Sequence, residues 1–391
     1  MSAAAQLPFE QPDLLAVAPR LRALQAQGPI HRVRTAVGDE AWLVTGHEQV
    51  RRLLTDDRLG RSHRDPESAA RAGESALSGG PQGDFDTEHT DHARLRALLQ
   101  PHFSARHMRA LRPRIDALTT QLLDDLSAGP QPADLHAALA LPLPILVICD
   151  LLGVPYEDRD QFRAWSEAAA NTRDRARSEQ GLGELFGYGL RLVAGKRTSP
   201  GDDVISRLCA TDGVSDEETA MLSMALLFAG HETTAAQIGM SALLLLTNSG
   251  QWNALRDNPE LVPNAIEELL RAPGKSSGGI PRYARTDLEV DGVTVQAGEL
   301  VLLSNGAANQ DPAVFAEPGR LDLTRTASAH LTFGHGARYC IGAPLARMEL
   351  QSVFTHLIPR FPALRLAVPV EDLTIRRDLL NGGLTALPVT W

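Results

Sequence analysis

Phe333-Gly-His-Gly-Ala-Arg-Tyr-Cys-Ile-Gly342 places a single cysteine, Cys340, behind a loop punctuated by glycine and just ahead of a helical pattern, Pro344 to His356. Gly334 and Gly336 permit a tight turn and let the backbone pass close to a flat ligand. A thiolate at position 340 would face the backbone N–H groups of a helix N-terminus, which favour negative charge. A cysteine beside a turn is, in isolation, more often a small core residue. Both readings, core thiol and exposed thiolate, stand at this point.

Around this stretch the chain of 391 residues is 43% hydrophobic and 22% charged, which suits a large core and excludes a disordered tail. At roughly 150 residues per domain, the length allows two or three domains or one large one. Lys+Arg minus Asp+Glu is 38 − 48 = −10, against a general nucleic-acid surface. Cys149, Cys209 and Cys340 form no C-x-x-C pair, which argues against a disulfide framework or a cysteine-rich zinc site. A reducing, cytoplasmic setting is expected. The N-terminus has no basic segment followed by an apolar one, so no signal peptide is expected. The longest uncharged apolar run, Ala137 to Cys149, contains Pro142 and Pro144 and is too short to cross a bilayer.

The period of the apolar residues organises the rest. Ile30 to Thr45 predicts two strands joined at Gly38-Asp39, followed by a helix holding Val50, Leu53 and Leu54. Residues 60–90, rich in Gly, Ser, Pro and Asp, read as a long loop of the kind that is functional or mobile. From about 92 to 272 the pattern is mostly helical. Ser215-Asp-Glu-Glu218 is a capping box that opens a long, nearly all-apolar helix running to about Asn248. A second helix follows Pro263 and ends before Pro273. Leu288 to Ser304 predicts a hairpin at Asp291-Gly292 and one more strand, with a further turn at Asn381-Gly-Gly383. The fold class is mainly α (α+β), a large helical body with small β-sheets, expected to be one domain over residues 1–391.

Within the long helix, Ala225, Ala229 and Thr233 recur at i, i+4 and i+8 and share one face of small residues. A mid-helix Thr ordinarily back-bonds to its i−4 carbonyl, and a Glu ordinarily sits on a solvated face. Glu232 beside Thr233 in an apolar run suits an acid–alcohol proton relay instead. His231-Glu232 lacks the second histidine of H-E-x-x-H, since position 235 is Ala, so a zinc-protease site is rejected. Glu268 and Arg271 stand at i, i+3, ordinarily a weak surface ion pair.

Taken whole, Phe333 to Gly342 resembles the haem-binding signature of the cytochrome P450 family, F-G-x-G-x-H/R-x-C-x-G, at every fixed position. Ala229-Gly-His-Glu-Thr-Thr234 resembles the family's oxygen-activation motif, and Glu268-Leu-Leu-Arg271 its E-x-x-R pair, which the resemblance makes interior and joined by a third residue, Arg320 of Pro318-Gly-Arg320. His92-Ala-Arg-Leu-Arg96 and Ile280-Pro-Arg282-Tyr-Ala284 resemble the segments that bind haem propionates. Ala272-Pro273 and Gln310 depart from the usual residues, away from the thiolate and the relay. The resemblance spans essentially the full chain.

It implies a cytochrome P450 fold around a buried haem b, with Cys340 as axial thiolate and metal ligand. The implied cofactor-binding residues are His92, Arg96, Ala229, Arg282, Phe333, Gly334, Arg338, Cys340 and Gly342; Glu232 and Thr233 are the implied catalytic pair. The activity implied is a haem-thiolate monooxygenase that hydroxylates or epoxidises a bulky secondary metabolite with O2. Oxidative coupling without oxygen insertion is the alternative, and a non-catalytic haem protein would need no relay. The substrate pocket is expected from the 60–90 loop, residues 165–195, the long helix, Ser276 to Ile280 and the turn near Asn381. Between His92 and Ile115 lie six arginines (94, 96, 106, 109, 112, 114), three histidines and no acid; in Arg338, Arg347 and Arg360 a second segment is basic too. Both suit docking of an acidic ferredoxin, itself supplied by a ferredoxin reductase. No nucleic-acid or membrane partner is expected.

Overall fold

Ser215 accepts a hydrogen bond from the Glu218 amide and starts the longest helix, Asp216–Thr247, as the capping box predicts. It appears in a computed structural model that describes residues 4–272, 278–325 and 329–391. Ser276 and Ser277 of the expected pocket, and Pro273, lie outside the described residues. The chain divides into two compact units: Met1–Ala97 with Pro263–Cys340, and Leu98–Val262 with Ile341–Trp391.

The first unit is built on a six-stranded sheet in the order Ala5–Gln6, Ile30–Arg34, Glu40–Val44, Leu300–Leu303, Ile280–Ala284, Leu59–Gly60. Side chains alternate across it. Leu43, Leu300, Leu302 and Tyr283 enter one apolar cluster, and Val44, Val301, Leu303 and Ala284 another. Arg282 lies opposite Val301 in the register and is only 9% exposed, so the sheet holds a guanidinium rigidly. The hairpin Leu288–Val290 with Val293–Val295 turns at Asp291 and Gly292, both at positive φ, as its sequence predicts. Gly279 is required for a close approach: at φ +109° an added Cβ would stand 2.7 Å from the Leu303 carbonyl carbon.

The 60–90 segment is tethered. The Arg71 amide donates to Asp39 (2.7 Å), the Tyr283 hydroxyl to the Ala70 carbonyl (2.7 Å), and Arg285 lies 3.9 Å over the Phe85 ring. Helix Val262–Arg271 carries the E-x-x-R pair: Arg271 and Glu268 are fully buried and doubly bonded at 2.7 and 2.8 Å. The third member corrects the expectation. Arg325, not Arg320, reaches Glu268 at 3.2 Å, whereas Arg320 is exposed and pairs with Glu317 and Asp322. A buried carboxylate needs desolvated donors, and the Arg325 side chain is 11% exposed against 57% for Arg320.

The second unit is helical. Asp216–Thr247 packs against Arg175–Thr198 and Pro142–Leu152, and its 32 residues span on the order of 50 Å. Leu222, Leu226, Leu227, Ile238, Leu243 and Leu245 are buried around its circumference. Gly230 is a contact point, because an added Cβ would meet the Ile148 Cδ1 at 2.7 Å. The helix continues through it. A three-stranded sheet, Arg365–Leu366, Pro388–Thr390 and Ala133–Asp134, completes the unit. Among the described residues no helix is long and apolar enough to cross a membrane.

Candidate active site

In the first unit, Gly334 and Gly336 adopt φ of 73° and 72°. The fold there tolerates no side chain at 336, where a Cβ would stand 2.6 Å from Thr55 Cγ2. Three backbone hydrogen bonds close the loop: the Gly334 amide donates to the Leu331 carbonyl, Tyr339 to Gly336, and Cys340 to Phe333, at 2.9, 3.0 and 2.9 Å. The Phe333 ring packs edge-on against Tyr339, with centroids 6.2 Å apart. Cys340 is exposed, whereas Cys149 and Cys209 are buried. Burial pushes the Cys149 thiol up to about 12, as a core thiol requires.

The same unit gathers the cationic residues expected to hold carboxylates. Burial first, then Arg338, Arg96 and Arg61, pushes His92 down to about 4, so its imidazole is neutral near pH 7. Burial, then Arg338 and Arg61, brings Arg282 down to about 10. Arg338 is itself lowered by burial. The Arg96 guanidinium donates to the Tyr339 carbonyl, tying it to the residue before Cys340. One carboxylate answers this charge. Glu88 accepts from the Arg61 and Ser62 amides (2.7 and 3.0 Å), from the Ser62 hydroxyl and from Arg338 (both 2.5 Å).

Set against Glu88, the guanidiniums of Arg61, Arg96, Arg282 and Arg338 leave a net positive cluster able to pair with the two carboxylates of a ligand. Haem b carries two propionates, and the residues fit it. Arg61 and Glu88 belong to the cluster and were not anticipated. Arg61 is exposed by area, yet burial lowers its pKa, as for a guanidinium facing into a cleft. A lone Arg just after a short strand, or a Glu opening helix Glu88–Leu99, carries no periodic or motif signal that would reveal it.

In the second unit, Met221, Ala225 and Ala229 form an exposed stripe on the otherwise buried Asp216–Thr247 helix, and Thr233 continues it. Ala229 thus offers a flat surface. The Thr233 hydroxyl donates to the Ala229 carbonyl at 2.8 Å, the ordinary back-bond. Glu232 is buried, with Oε2 3.2 Å from Arg376 Nη2 and Oε1 3.7 Å from His231 Nε2. Among the described residues, Glu232 and Thr233 share no hydrogen bond. Arg376 is a further unanticipated partner; it comes from the C-terminal segment, 144 positions away. Gly342 caps helix Ala343–Arg360 at its N-terminal end. No cluster of three or more His, Cys, Asp or Glu side chains that could hold a metal ion occurs among the described residues.

Comparison with known proteins agrees with this geometry. A model of the family Cytochrome P450 matches residues 194–376. The chain is 46% identical to pentalenolactone synthase of Streptomyces exfoliatus, over 99% of each protein. It is 40% identical to mycinamicin IV hydroxylase/epoxidase of Micromonospora griseorubida, over 98% of each. The crystal structure of substrate-free cytochrome P450 PimD, a polyene macrolide antibiotic pimaricin epoxidase, superposes with a TM-score of 0.88 at 40% identity, covering 100% of both chains. With the thiol loop, the cationic cluster and the small-residue stripe in hand, the chain belongs to the cytochrome P450 family, and is an oxidoreductase of that family with its fold.

Proposed function

We propose that the chain is a cytoplasmic monooxygenase that hydroxylates or epoxidises a bulky natural product, holding haem b through Cys340 as one cooperative domain. The observation that carries this reading is the excess of guanidinium charge in the unit that also presents the exposed Cys340. Haem b, when bound, activates dioxygen, and a thiolate ligand favours O–O cleavage. Arg96, Arg282 and Arg338 bind carboxylates as charge-assisted donors, and neutral His92 donates one N–H. Phe333, Gly334 and Gly342 shape the loop around Cys340, while Ala229 keeps the helix surface flat. Glu232 takes up protons from the protein side, and Thr233 Oγ1, released from the Ala229 carbonyl, passes them on. The relatives named above act, by their names, on pentalenolactone and macrolide chemistry, which supports a secondary metabolite as substrate and a role in antibiotic biosynthesis.

Electrons are proposed to come from an acidic ferredoxin and its reductase. The supporting surface is narrower than the count of arginines suggests. On helix Ala105–Ala128, Arg112 pairs with Asp116 and Arg114 with Asp150, and Arg360 pairs with Asp124. Arg106 and Arg109 are exposed and carry no ion pair among the described residues. They are the anchors expected for an acidic partner. Screening natural products for spin-state shifts of the haem-loaded protein tests the substrate class: macrolides or terpenoids should shift it, and a response only to small aromatic compounds would contradict the reading.

A further inference from the structure

The chain holds four tryptophans and four tyrosines, and two of these eight rings meet in the second unit. Trp165 of helix Arg159–Ala169 and Tyr188 of helix Arg175–Thr198 have centroids 5.7 Å apart, with their planes inclined at 50°. That is packing distance for an aromatic pair, and close enough for an electron to pass between the rings. Packing also joins the pair to the long helix that carries Ala229, Glu232 and Thr233. Phe162 is fully buried and meets His231 edge-on at 5.8 Å. Trp165 follows Phe162 by three positions, on the same side of its helix.

Tyr188 is set apart by the partner of its hydroxyl. A phenol that loses an electron becomes a strong acid, so its oxidation is easy only where a base takes the proton. The hydroxyl of buried Tyr188 donates to Asp158 Oδ2 at 2.7 Å, a charge-assisted bond to a carboxylate. Burial, then that bond, pushes the phenol pKa up, so the proton stays on oxygen until an electron leaves. Arg191 stands 5.7 Å over the ring, which opposes a lasting positive charge there and favours loss of the proton with the electron. Two other tyrosines are placed differently. Tyr283 donates to the Ala70 carbonyl, which takes up no proton near neutral pH. Tyr156 has the Arg159 guanidinium 4.5 Å over its ring, which disfavours its oxidation.

We propose that Trp165 and Tyr188 form a relay that draws oxidising equivalents away from the active-site helix when no organic substrate is bound to consume them, with Asp158 as proton acceptor. The proposal rests on reading the chain as a haem-holding monooxygenase. The oxidant is hydrogen peroxide acting at the bound haem, and the reductant that restores the relay is an enediol such as ascorbate. Trp165 gives up one electron and is left as an indole radical cation. Tyr188 refills it: one electron passes to the indole, the O–H bond breaks, and the proton moves to Asp158 Oδ2. A neutral phenoxyl radical then stands beside a carboxylic acid. The enediol returns the electron and Asp158 the proton. Two passages supply the two electrons that, with two protons from solvent, turn one hydrogen peroxide into two waters. The enediol loses two electrons and releases two protons to solvent. The groups so protected are the chain's thiols and thioethers, the exposed Cys340 among them.

The test mixes the haem-loaded, substrate-free protein with hydrogen peroxide, freezes it within milliseconds and records the electron paramagnetic resonance spectrum. The parent should give a neutral tyrosyl radical whose signal narrows when the tyrosines are ring-deuterated. Tyr188→Phe should remove most of that signal, and Tyr156→Phe should leave it. Asp158→Asn and Trp165→Phe should each cut its yield several-fold. With ascorbate present, peroxide should bleach the haem several-fold faster in Tyr188→Phe and Trp165→Phe than in the parent. Trp165→Tyr, which keeps an oxidisable ring, should restore much of the protection. No tyrosyl signal in the parent, a signal that survives Tyr188→Phe, or equal bleaching across the series would overturn the proposal. The reduced carbon monoxide spectrum, taken for every variant, separates the two levels. Thiolate-type spectra throughout, with the radical on another residue, defeat the relay alone; a parent lacking that spectrum defeats the underlying reading as well.

Discussion

Arg338 Nη2 stands 2.5 Å from Glu88 Oε1, so the arginine of the cysteine loop is held by a buried carboxylate 250 positions earlier in the chain. Burial by itself would raise the Glu88 pKa, but bonds from Ser62, the Arg61 amide and Arg338 together outweigh it and hold the carboxyl below its ordinary value. A depressed carboxylate pKa adds stability that is complete above the unfolded value and is lost as pH falls through the folded one.

Glu88→Gln should therefore destabilise the protein by roughly 2–4 kcal/mol near neutral pH, since it strands Arg338 and Arg285. Denaturant titrations over a pH series should show the gap between variant and parent shrinking only below about pH 4.5. An unchanged gap in acid would contradict the assignment.

The buried Glu268 cluster predicts an ordering of arginines. Arg271→Lys should cost roughly 3–5 kcal/mol, because it breaks a fully buried pair. Arg325→Ala should be clearly destabilising, whereas Arg320→Ala, at an exposed site, should stay within about 1 kcal/mol. Thermal melts of the three variants check the order; equal effects at 320 and 325 would refute the Arg325 assignment.

Ala229→Leu separates folding from ligand access. The position is exposed and Leu is a good helix former, so the melting temperature should barely move. If Ala229 faces the flat cofactor, binding of imidazole to the haem-loaded variant should weaken at least several-fold. Unaltered imidazole affinity would place Ala229 elsewhere.

Arg109→Glu should slow reduction by an acidic ferredoxin several-fold at low ionic strength, and the difference should fade as salt screens the charges. Stopped-flow reduction at two salt concentrations reads this directly. Rates independent of both charge and salt would rule out the Arg106–Arg109 face as the dock.

What the sequence revealed had local or periodic signatures. The Asp216–Thr247 helix was legible because Ser215 caps it and its apolar residues run unbroken; the Asp291-Gly292 hairpin, because only such residues take positive φ cheaply. Cys340 and its glycines were legible as a contiguous pattern. Glu88, Arg61 and Arg376 were not, since each acts through partners distant in sequence, and a single charged residue looks like any other. Arg325 shows the same limit. Its loop offered two arginines, and only packing distinguishes the buried one from Arg320.

The central claim is that Cys340 is the thiolate ligand of a haem. Its most direct test is the carbon monoxide difference spectrum of the reduced protein, parent beside Cys340→Ser. The parent should give the spectrum of a thiolate-ligated haem, and the variant should lose it while staying folded. An imidazole-type spectrum in well-folded parent protein, or a thiolate spectrum that survives in the variant, would contradict it.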